Sequence, residues 1–200
     1  MADALGMSVA EVTTVALSVR CKVDTAMREL VGAEGEKALL ELLQQSLDAE
    51  IRHVAAESDS YGYDIGVSGP GRGPVHIEVK TTTDPTRLVV YLSRHEYETM
   101  RWDEGWVMVA VLLGPHGEVA GLAEVSRDWL MRARPSDGHA AARWETARLA
   151  VPGHALFGGI RNVRIWSRGP AAVGTLSVGT GRDRPLWGRP SVNVRTPHRT

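Results

Sequence analysis

Three charged residues in two neighbouring β-like segments have the types and spacing that metal-assisted phosphodiester hydrolysis requires. Asp64 belongs to the first segment, and Glu78 and Lys80 follow in the second. In a β-strand, residues i and i+2 point to the same face, so Glu78 and Lys80 should project together. Ile77 and Val79 should then face an apolar layer. The pattern therefore predicts two carboxylates and an ammonium group close together.

Two adjacent carboxylates are unfavourable unless a proton or a cation lies between them. Mg²⁺ or Mn²⁺ would satisfy this need, because such hard cations take carboxylate oxygens, a backbone carbonyl and waters. We expect these ligands from Asp64, Glu78 and the carbonyl of Val79. Lys80 would orient a water or stabilise negative charge on an attacked phosphate. The alternative is an ordinary charge pair on a strand face, which adds only modest stability.

The elements around these residues follow from hydrophobic periodicity. Apolar residues at intervals of three and four predict a helix over 8–31 that Gly32 ends. A leucine-rich pattern predicts a second helix over 34–56. A short β-rich segment over 61–67 and an alternating strand over 75–81 are separated by a Gly/Pro-rich turn, which predicts a hairpin.

The same reasoning gives the rest of the chain. We predict strands over 87–92, 106–113 and 118–125, helices over 93–102 and 128–132, and a strand-like stretch over 157–166. Segment 140–149 fits either a helix or a strand. Ser93 and Glu96 have the spacing of a capping box, which we prefer to a ligand role for Glu96.

Taken in order, these motifs resemble the PD-(D/E)xK nuclease superfamily. They are Gly32-Ala-Glu-Gly-Glu36, Gly62-Tyr-Asp-Ile65, Glu78-Val-Lys80 and Leu92-Ser-Arg-His-Glu96. Within that superfamily the chain is most similar to the Mrr-like branch that includes the "protein NO VEIN C-terminal" domains, over about residues 32–125. Tyr63 stands where the signature's name places a proline.

The resemblance implies an α/β, restriction-endonuclease-like fold, with a central mixed β-sheet flanked by helices. It also implies that Glu36 is a third acidic residue at the metal, both ligand and catalytic residue beside Asp64, Glu78 and Lys80. The alternative for Glu36 is that its charge simply favours the positive end of its helix.

Charge is distributed unevenly over the 200 residues, although the formal net charge is only −1. From Ile160 onward the chain contains eight arginines and a single acidic residue, Asp183. Such a segment suits a polyanion partner, or an arm folded onto an acidic body, and composition does not decide between them. The candidate nucleic-acid-binding residues are Arg161, Arg164, Arg168, Arg182, Arg184 and Arg189.

The single cysteine and the lack of long apolar runs exclude several classes of protein. Cys21 is the only cysteine, which excludes disulfide frameworks and cysteine-rich zinc sites. This cysteine use suits a reducing cytoplasm best, so we expect a cytoplasmic protein. We expect no membrane partner, because no run approaches the roughly 18 apolar residues of a membrane span.

The sequence thus predicts an N-terminal helix (1–31), a nuclease-like core (32–158) and an Arg-rich C-terminal extension (159–200). The expected function is metal-dependent endonuclease cleavage of DNA, in a restriction or defence system. RNA or modified DNA is an alternative substrate, and a homodimer or a partner subunit that supplies specificity would fit this size. The main alternative is a catalytically idle module of the same fold that binds nucleic acid or assembles with a partner protein.

Overall fold

A computed structural model describes residues 9–137 and 143–168. For residues 9–23 and for Asp59 it describes the backbone alone. The described chain forms a central mixed sheet with helices on both sides, so the predicted α/β class is confirmed.

The first helix, α1, is continuous over Val9–Ser46. The prediction that Gly32 ends one helix and that a second runs to 56 was therefore wrong. A glycine inside a helix costs only about 1 kcal/mol, which the leucines that follow it offset by packing on the sheet. The helix stops ten residues earlier than expected because Glu50–His53 pairs as a strand, β1.

Besides β1, the central sheet contains β2 (Ile65–Gly69), β3 (Arg72–Thr82), β5 (Trp106–Leu113), β6 (Val119–Val125) and β8 (Leu156–Gly158). The order of the strands across the sheet is β1-β2-β3-β5-β6-β8. Strands β3 and β5 are parallel, and the other neighbouring pairs are antiparallel. All eight residues of β5 are buried, as its uninterrupted apolar sequence predicts.

The predicted hairpin is present as β2 and β3, with Ile65 opposite Ile77. Both strands extend into the segment expected to be a turn, so that only Pro70 and Gly71 connect them. Gly71 has a φ of +83°, a conformation that favours glycine. Residues before Asp64 do not continue β2, because Asp59–Tyr61 forms a short 3-10 helix.

A second, two-stranded sheet of β4 (Leu88–Ser93) and β7 (Thr146–Val151) packs with α2 (Arg94–Trp102) and α3 (Arg127–Ala133). Of the segment 140–149, which fitted either a helix or a strand, residues 140–142 lie outside the described part of the chain, and β7 shows a strand from Thr146 onward. On β3, Ile77 and Val79 face the apolar layer beneath α1. The alternate positions, Glu78 and Lys80, face the side of α2.

The core continues past the boundary predicted at 158. Ile160, Val163 and Trp166 are buried against α1 and the sheet. Residues Arg161–Trp166 form a 3-10 helix, so the predicted strand over 157–166 is limited to the end of β8. The predicted arm beyond 168 lies outside the described residues. Within the described ranges, no helix is both long and apolar enough to cross a membrane.

Candidate active site

Asp64 is held at the point where β2 and β3 begin to pair. Its amide donates to the Ile77 carbonyl at 2.9 Å, and its own carbonyl accepts from Val54 and Ala55. Its side chain turns across to β3, where Oδ2 accepts a 2.7 Å hydrogen bond from the Val79 amide. Asp64 is thus fixed directly beside Glu78, as the hairpin predicts.

Gly62 shapes the chain that leads into Asp64. It adopts a φ of +70°, and a Cβ placed there would clash with Thr99 of α2. Its carbonyl accepts a 2.9 Å hydrogen bond from Trp106 Nε1 on the buried strand β5. These contacts explain why a glycine precedes Tyr63 and Asp64, and they fix the approach of the loop to β3 and α2.

Glu78 and Lys80 lie on the same face of β3, as predicted from their spacing. Lys80 Nζ donates to Glu78 Oε1 at 2.7 Å and to Glu96 Oε1 at 3.2 Å. Glu96 also completes the predicted capping box of α2, since its Oε2 accepts from the Ser93 amide at 3.0 Å. Glu96 therefore caps a helix and contacts Lys80, a second role that the sequence did not reveal.

Burial and like charge shift the protonation of this cluster. Burial raises the pKa of Asp64 to about 6. The charge of Glu36 adds to this shift, and the hydrogen bond from the Val79 amide opposes it. Burial also raises the pKa of Glu78 well above its ordinary value, with Lys80 opposing and Glu96 and Asp64 reinforcing the shift. Burial alone would lower the pKa of Lys80, but Glu78 and Glu96 raise it above its usual range, so Lys80 stays charged.

Glu36 reaches the site from α1 but is turned toward a different partner. Its Oε2 lies 3.3 Å from Nε2 of His53 on β1. Its charge nevertheless contributes to the raised pKa of Asp64. The structure thus brings Asp64, Glu78, Lys80 and Glu96 together and leaves Glu36 at the margin of the cluster.

The side chains of Asp64, Glu78 and Glu96 open into one cavity of about 280 Å³. We call it the Asp64 cavity; it is also lined by Ala55, Ser58, Gly62, Tyr63, Ser93 and His95. His95 is oriented by its Nε2, which donates to the Ser60 carbonyl at 3.0 Å.

The donor set of this cavity fits a hard divalent cation. When Asp64, Glu78, Glu96 and Lys80 are all ionised, three negative groups face one positive group. One divalent cation would neutralise the remaining net charge of −2. Among the described residues, no three His, Cys, Asp or Glu side chains form a ready-made metal cluster. Mg²⁺ needs no such cage, since proteins usually bind it through one or two carboxylates, substrate phosphate and waters.

The candidate nucleic-acid-binding arginines that the structure describes make contacts within the chain. Arg161 Nη2 lies 2.6 Å from Glu124 Oε1, and Arg161 also stacks over Phe157. Arg164 donates to the Gly158 carbonyl, and Arg168 donates to the Leu47 carbonyl. Arg182, Arg184 and Arg189 lie outside the described residues.

No curated protein matches the chain. Among solved structures, the chain is similar to Hjc, a Holliday junction resolvase of Archaeoglobus fulgidus, with 20% identity and a TM-score of 0.38. That similarity covers 71% of this chain and 93% of Hjc. Residues 35–112 match the model of the family described as Protein NO VEIN, C-terminal, which confirms the family resemblance expected from the sequence.

Proposed function

We propose that the protein is a metal-dependent endonuclease that hydrolyses DNA phosphodiester bonds. The observation that carries this proposal is that Asp64 and Glu78 line one cavity beside the β2–β3 hairpin, while Lys80 donates a hydrogen bond to Glu78. The match to the NO VEIN C-terminal family supports it, because the PD-(D/E)xK resemblance of those domains implies such a site.

Each residue has a chemical task in this proposal. Asp64, Glu78 and the Val79 carbonyl would hold Mg²⁺ or Mn²⁺, with Glu36 acting from the margin. The bound cation would supply charge neutralisation at the phosphate and a more acidic water. Lys80 is kept protonated by Glu78 and Glu96, so it donates hydrogen bonds, orients the attacking water and stabilises charge that develops on the phosphate oxygens.

The Val79 amide orients Asp64 through the 2.7 Å hydrogen bond to Oδ2. That contact leaves Oδ1 available to a cation or a water.

Arginines of the C-terminal segment, among them Arg182, Arg184 and Arg189, would contact backbone phosphates without reading sequence. The protein would act in the cytoplasm, in a restriction or defence role, alone as a dimer or with a subunit that supplies specificity.

The rival function is a catalytically idle module that binds nucleic acid or a partner protein. One observation favours it: Lys80 is already paired with two carboxylates, which would hold it away from substrate if no cation enters the site. Metal binding distinguishes the nuclease from the idle module, because only the nuclease requires a cation at this site.

Plasmid cleavage in Mg²⁺ and in Mn²⁺, together with calorimetric metal titration, tests the proposal. We expect wild type to cut and the variants Asp64→Ala and Lys80→Ala to lose at least about 100-fold in rate. Glu98→Ala and Lys37→Ala are matched controls, since Glu98 pairs with Arg94 on the exposed part of α2 and Lys37 is exposed on α1. Cleavage that survives both site substitutions, or metal binding indifferent to Asp64→Ala, would exclude this site as the catalytic centre.

A further inference from the structure

A second and larger cavity adjoins the proposed active site. It has a volume of about 460 Å³ and lies between α1, the end of β3 and β4. We call it the Arg28–Tyr91 cavity, after two residues of its lining whose side chains lie against each other. Its volume falls within the range of about 300–1,000 Å³ that is typical of ligand pockets.

Lys80 joins the two cavities. Its side chain belongs to the wall of the Arg28–Tyr91 cavity, while its Nζ donates to Glu78 and Glu96 of the Asp64 cavity. A nucleic-acid strand whose phosphate occupies the Asp64 cavity therefore has this second cavity directly beside it.

The Arg28–Tyr91 cavity lies beside the carboxyl end of β3, where β2 no longer pairs with β3. The pairing of β2 with β3 reaches only the Ile65–Ile77 pair, whereas β3 continues to Thr82 along β5. Strand β4 lies outside the central sheet and pairs with β7. The chain thus builds a cleft at the carboxyl end of β3, roofed by α1.

The lining of the cavity has the composition of a nucleobase site. The Arg28 guanidinium lies 5.6 Å from the centre of the Tyr91 ring, and Tyr91 is 40% exposed. Val31 and Val90 add apolar wall, and Thr82 carries a hydroxyl group. Proteins bind unpaired bases by stacking them on aromatic rings and guanidinium planes, with hydrogen bonds to the base edges.

We propose that the Arg28–Tyr91 cavity binds an unpaired nucleobase next to the phosphate that occupies the Asp64 cavity. A base can enter only from a single strand or after leaving its stack, since a paired base in a duplex is enclosed by its neighbours. The preferred substrate would then be nucleic acid with an unpaired nucleotide at the cleavage position. This inference rests on the proposed nuclease function for the identity of the neighbouring phosphate.

A binding experiment in EDTA tests the inference without any cleavage. The probe is a short single-stranded DNA with one 2-aminopurine, whose fluorescence falls when the base stacks on an aromatic ring. We expect Arg28→Ala and Tyr91→Leu each to weaken binding about tenfold, because stacking contributes about 1–3 kcal/mol per base. Tyr91→Phe should retain both the affinity and the quenching, since it keeps the ring.

The chain provides a matched control in Arg101 and Trp102 of α2. Arg101 lies 5.4 Å from the Trp102 ring, a pair of nearly the same geometry, but Trp102 is 80% exposed and neither residue lines the two cavities. Arg101→Ala and Trp102→Leu should change the affinity by less than about twofold. An equal loss in these controls would attribute the binding to general surface charge and stacking, and would overturn the inference.

The outcomes also separate this inference from the proposed function. If Asp64→Ala abolishes cleavage while Arg28→Ala and Tyr91→Leu bind and cut as wild type, the nuclease stands and the base site is wrong. If no substrate is cut but binding depends on Arg28 and Tyr91, the base site stands and the nuclease is wrong. Sedimentation completes the test: loss of a dimer in these two variants, with DNA affinity unchanged, would show that a second copy fills the cavity.

Discussion

The Asp64 carboxylate accepts a 2.7 Å hydrogen bond from the backbone amide of Val79, the residue between Glu78 and Lys80. This contact fixes a carboxyl group from one strand against the backbone of the next. The hydrogen bond favours the ionised form of Asp64, yet burial and Glu36 outweigh it and raise the pKa to about 6. The position of Asp64 is therefore secured by the fold, while its charge is unfavourable until a cation arrives.

The first prediction concerns the pH dependence of stability without metal. An unfolded Asp64 titrates near 3.8 and the folded residue near 6, so between these values the folded state holds more protons. The free energy of unfolding should therefore fall as pH rises from about 4 to 7, by at most roughly 3 kcal/mol from this residue. Urea denaturation in EDTA at several pH values measures this decline.

Asp64→Asn should flatten that profile, and the remaining slope should come from Glu78, whose pKa is also raised. Asp84→Asn is the control, because Thr86 lowers the pKa of Asp84 and its contribution has the opposite sign. A decline that is just as steep in Asp64→Asn as in wild type would show that this carboxyl is not destabilised in the fold.

The second prediction follows from the charge of the ionised cluster. A divalent cation binds the ionised form of Asp64 and Glu78, so it competes with protons for the site. Mg²⁺ at saturating concentration should therefore raise the Tm more at pH 8 than at pH 5. Thermal unfolding with Mg²⁺ or EDTA at both pH values measures this, and an equal rise in Asp64→Asn would place the cation elsewhere.

The third prediction separates the two roles of Glu96. Ser93→Ala removes the side-chain cap of α2 but leaves Glu96 beside Lys80, so it should cost about 1 kcal/mol of stability with little change in cleavage. Glu96→Gln keeps an oxygen for the Ser93 amide but loses the charge that holds Lys80. It should reduce cleavage about tenfold and shift the pH profile, with a smaller loss of stability than Ser93→Ala.

Denaturation and single-turnover cleavage at several pH values check both variants. If Ser93→Ala and Glu96→Gln lost stability and activity in parallel, Glu96 would act only through the helix cap. Glu96 would then not be a positioning residue for Lys80.

Local patterns predicted the part of the site that depends on near neighbours in the chain. The alternation along β3 placed Glu78 and Lys80 on one face, and the Gly/Pro-rich turn placed Asp64 opposite them. Period-two alternation is a property of the strand itself, so tertiary contacts did not need to be known.

The features that local sequence patterns did not predict depend on contacts between segments that are distant in the chain. The sequence around Ile51 favours a helix, yet Ile51 pairs with Val67 across the sheet, and this pairing outweighs helix propensity. Likewise, nothing local marks Glu124 as the partner of Arg161, 37 residues later. The sequence predicts a helix end at Gly32, although α1 continues through it, because a glycine that ends a helix and one inside a helix look alike in sequence.

The fourth prediction uses two glycines of α1 that differ in their surroundings. A Cβ at Gly35 would lie 2.7 Å from the Cβ of Thr81 on β3 and would also meet its hydroxyl and methyl groups, whereas a Cβ at Gly32 has nothing within 4 Å. Gly35→Ala should therefore destabilise the fold by about 1–3 kcal/mol, since α1 must move away from β3. Gly32→Ala should instead stabilise it by about 1 kcal/mol, through helix propensity.

The measurement is urea denaturation of both variants, with the affinity for Mg²⁺ as a second readout. Gly35 precedes Glu36, so a displaced helix should also weaken metal binding in Gly35→Ala and leave Gly32→Ala unchanged. Equal stability changes in the two variants would mean that α1 does not approach β3 closely at Gly35.

The last prediction concerns Arg161, a candidate phosphate contact that the structure pairs with the buried Glu124. Two guanidinium nitrogens and the backbone amide of Arg161 all donate to that carboxylate. Arg161→Ala should destabilise the protein by about 1–3 kcal/mol, because Glu124 would remain buried without its cation. DNA affinity and its dependence on salt should change little, since the guanidinium is already engaged within the fold.

A phosphate contact would produce the reverse pattern. Loss of one such contact weakens binding to all sequences and reduces the slope of log K against log salt by about one, with stability preserved. Glu124→Gln distinguishes the two roles of Arg161, because it removes the charge with which Arg161 pairs and keeps the arginine itself. If Arg161 serves the fold, this variant should lose stability and leave DNA binding as it was; if Arg161 serves DNA, the released guanidinium should strengthen binding.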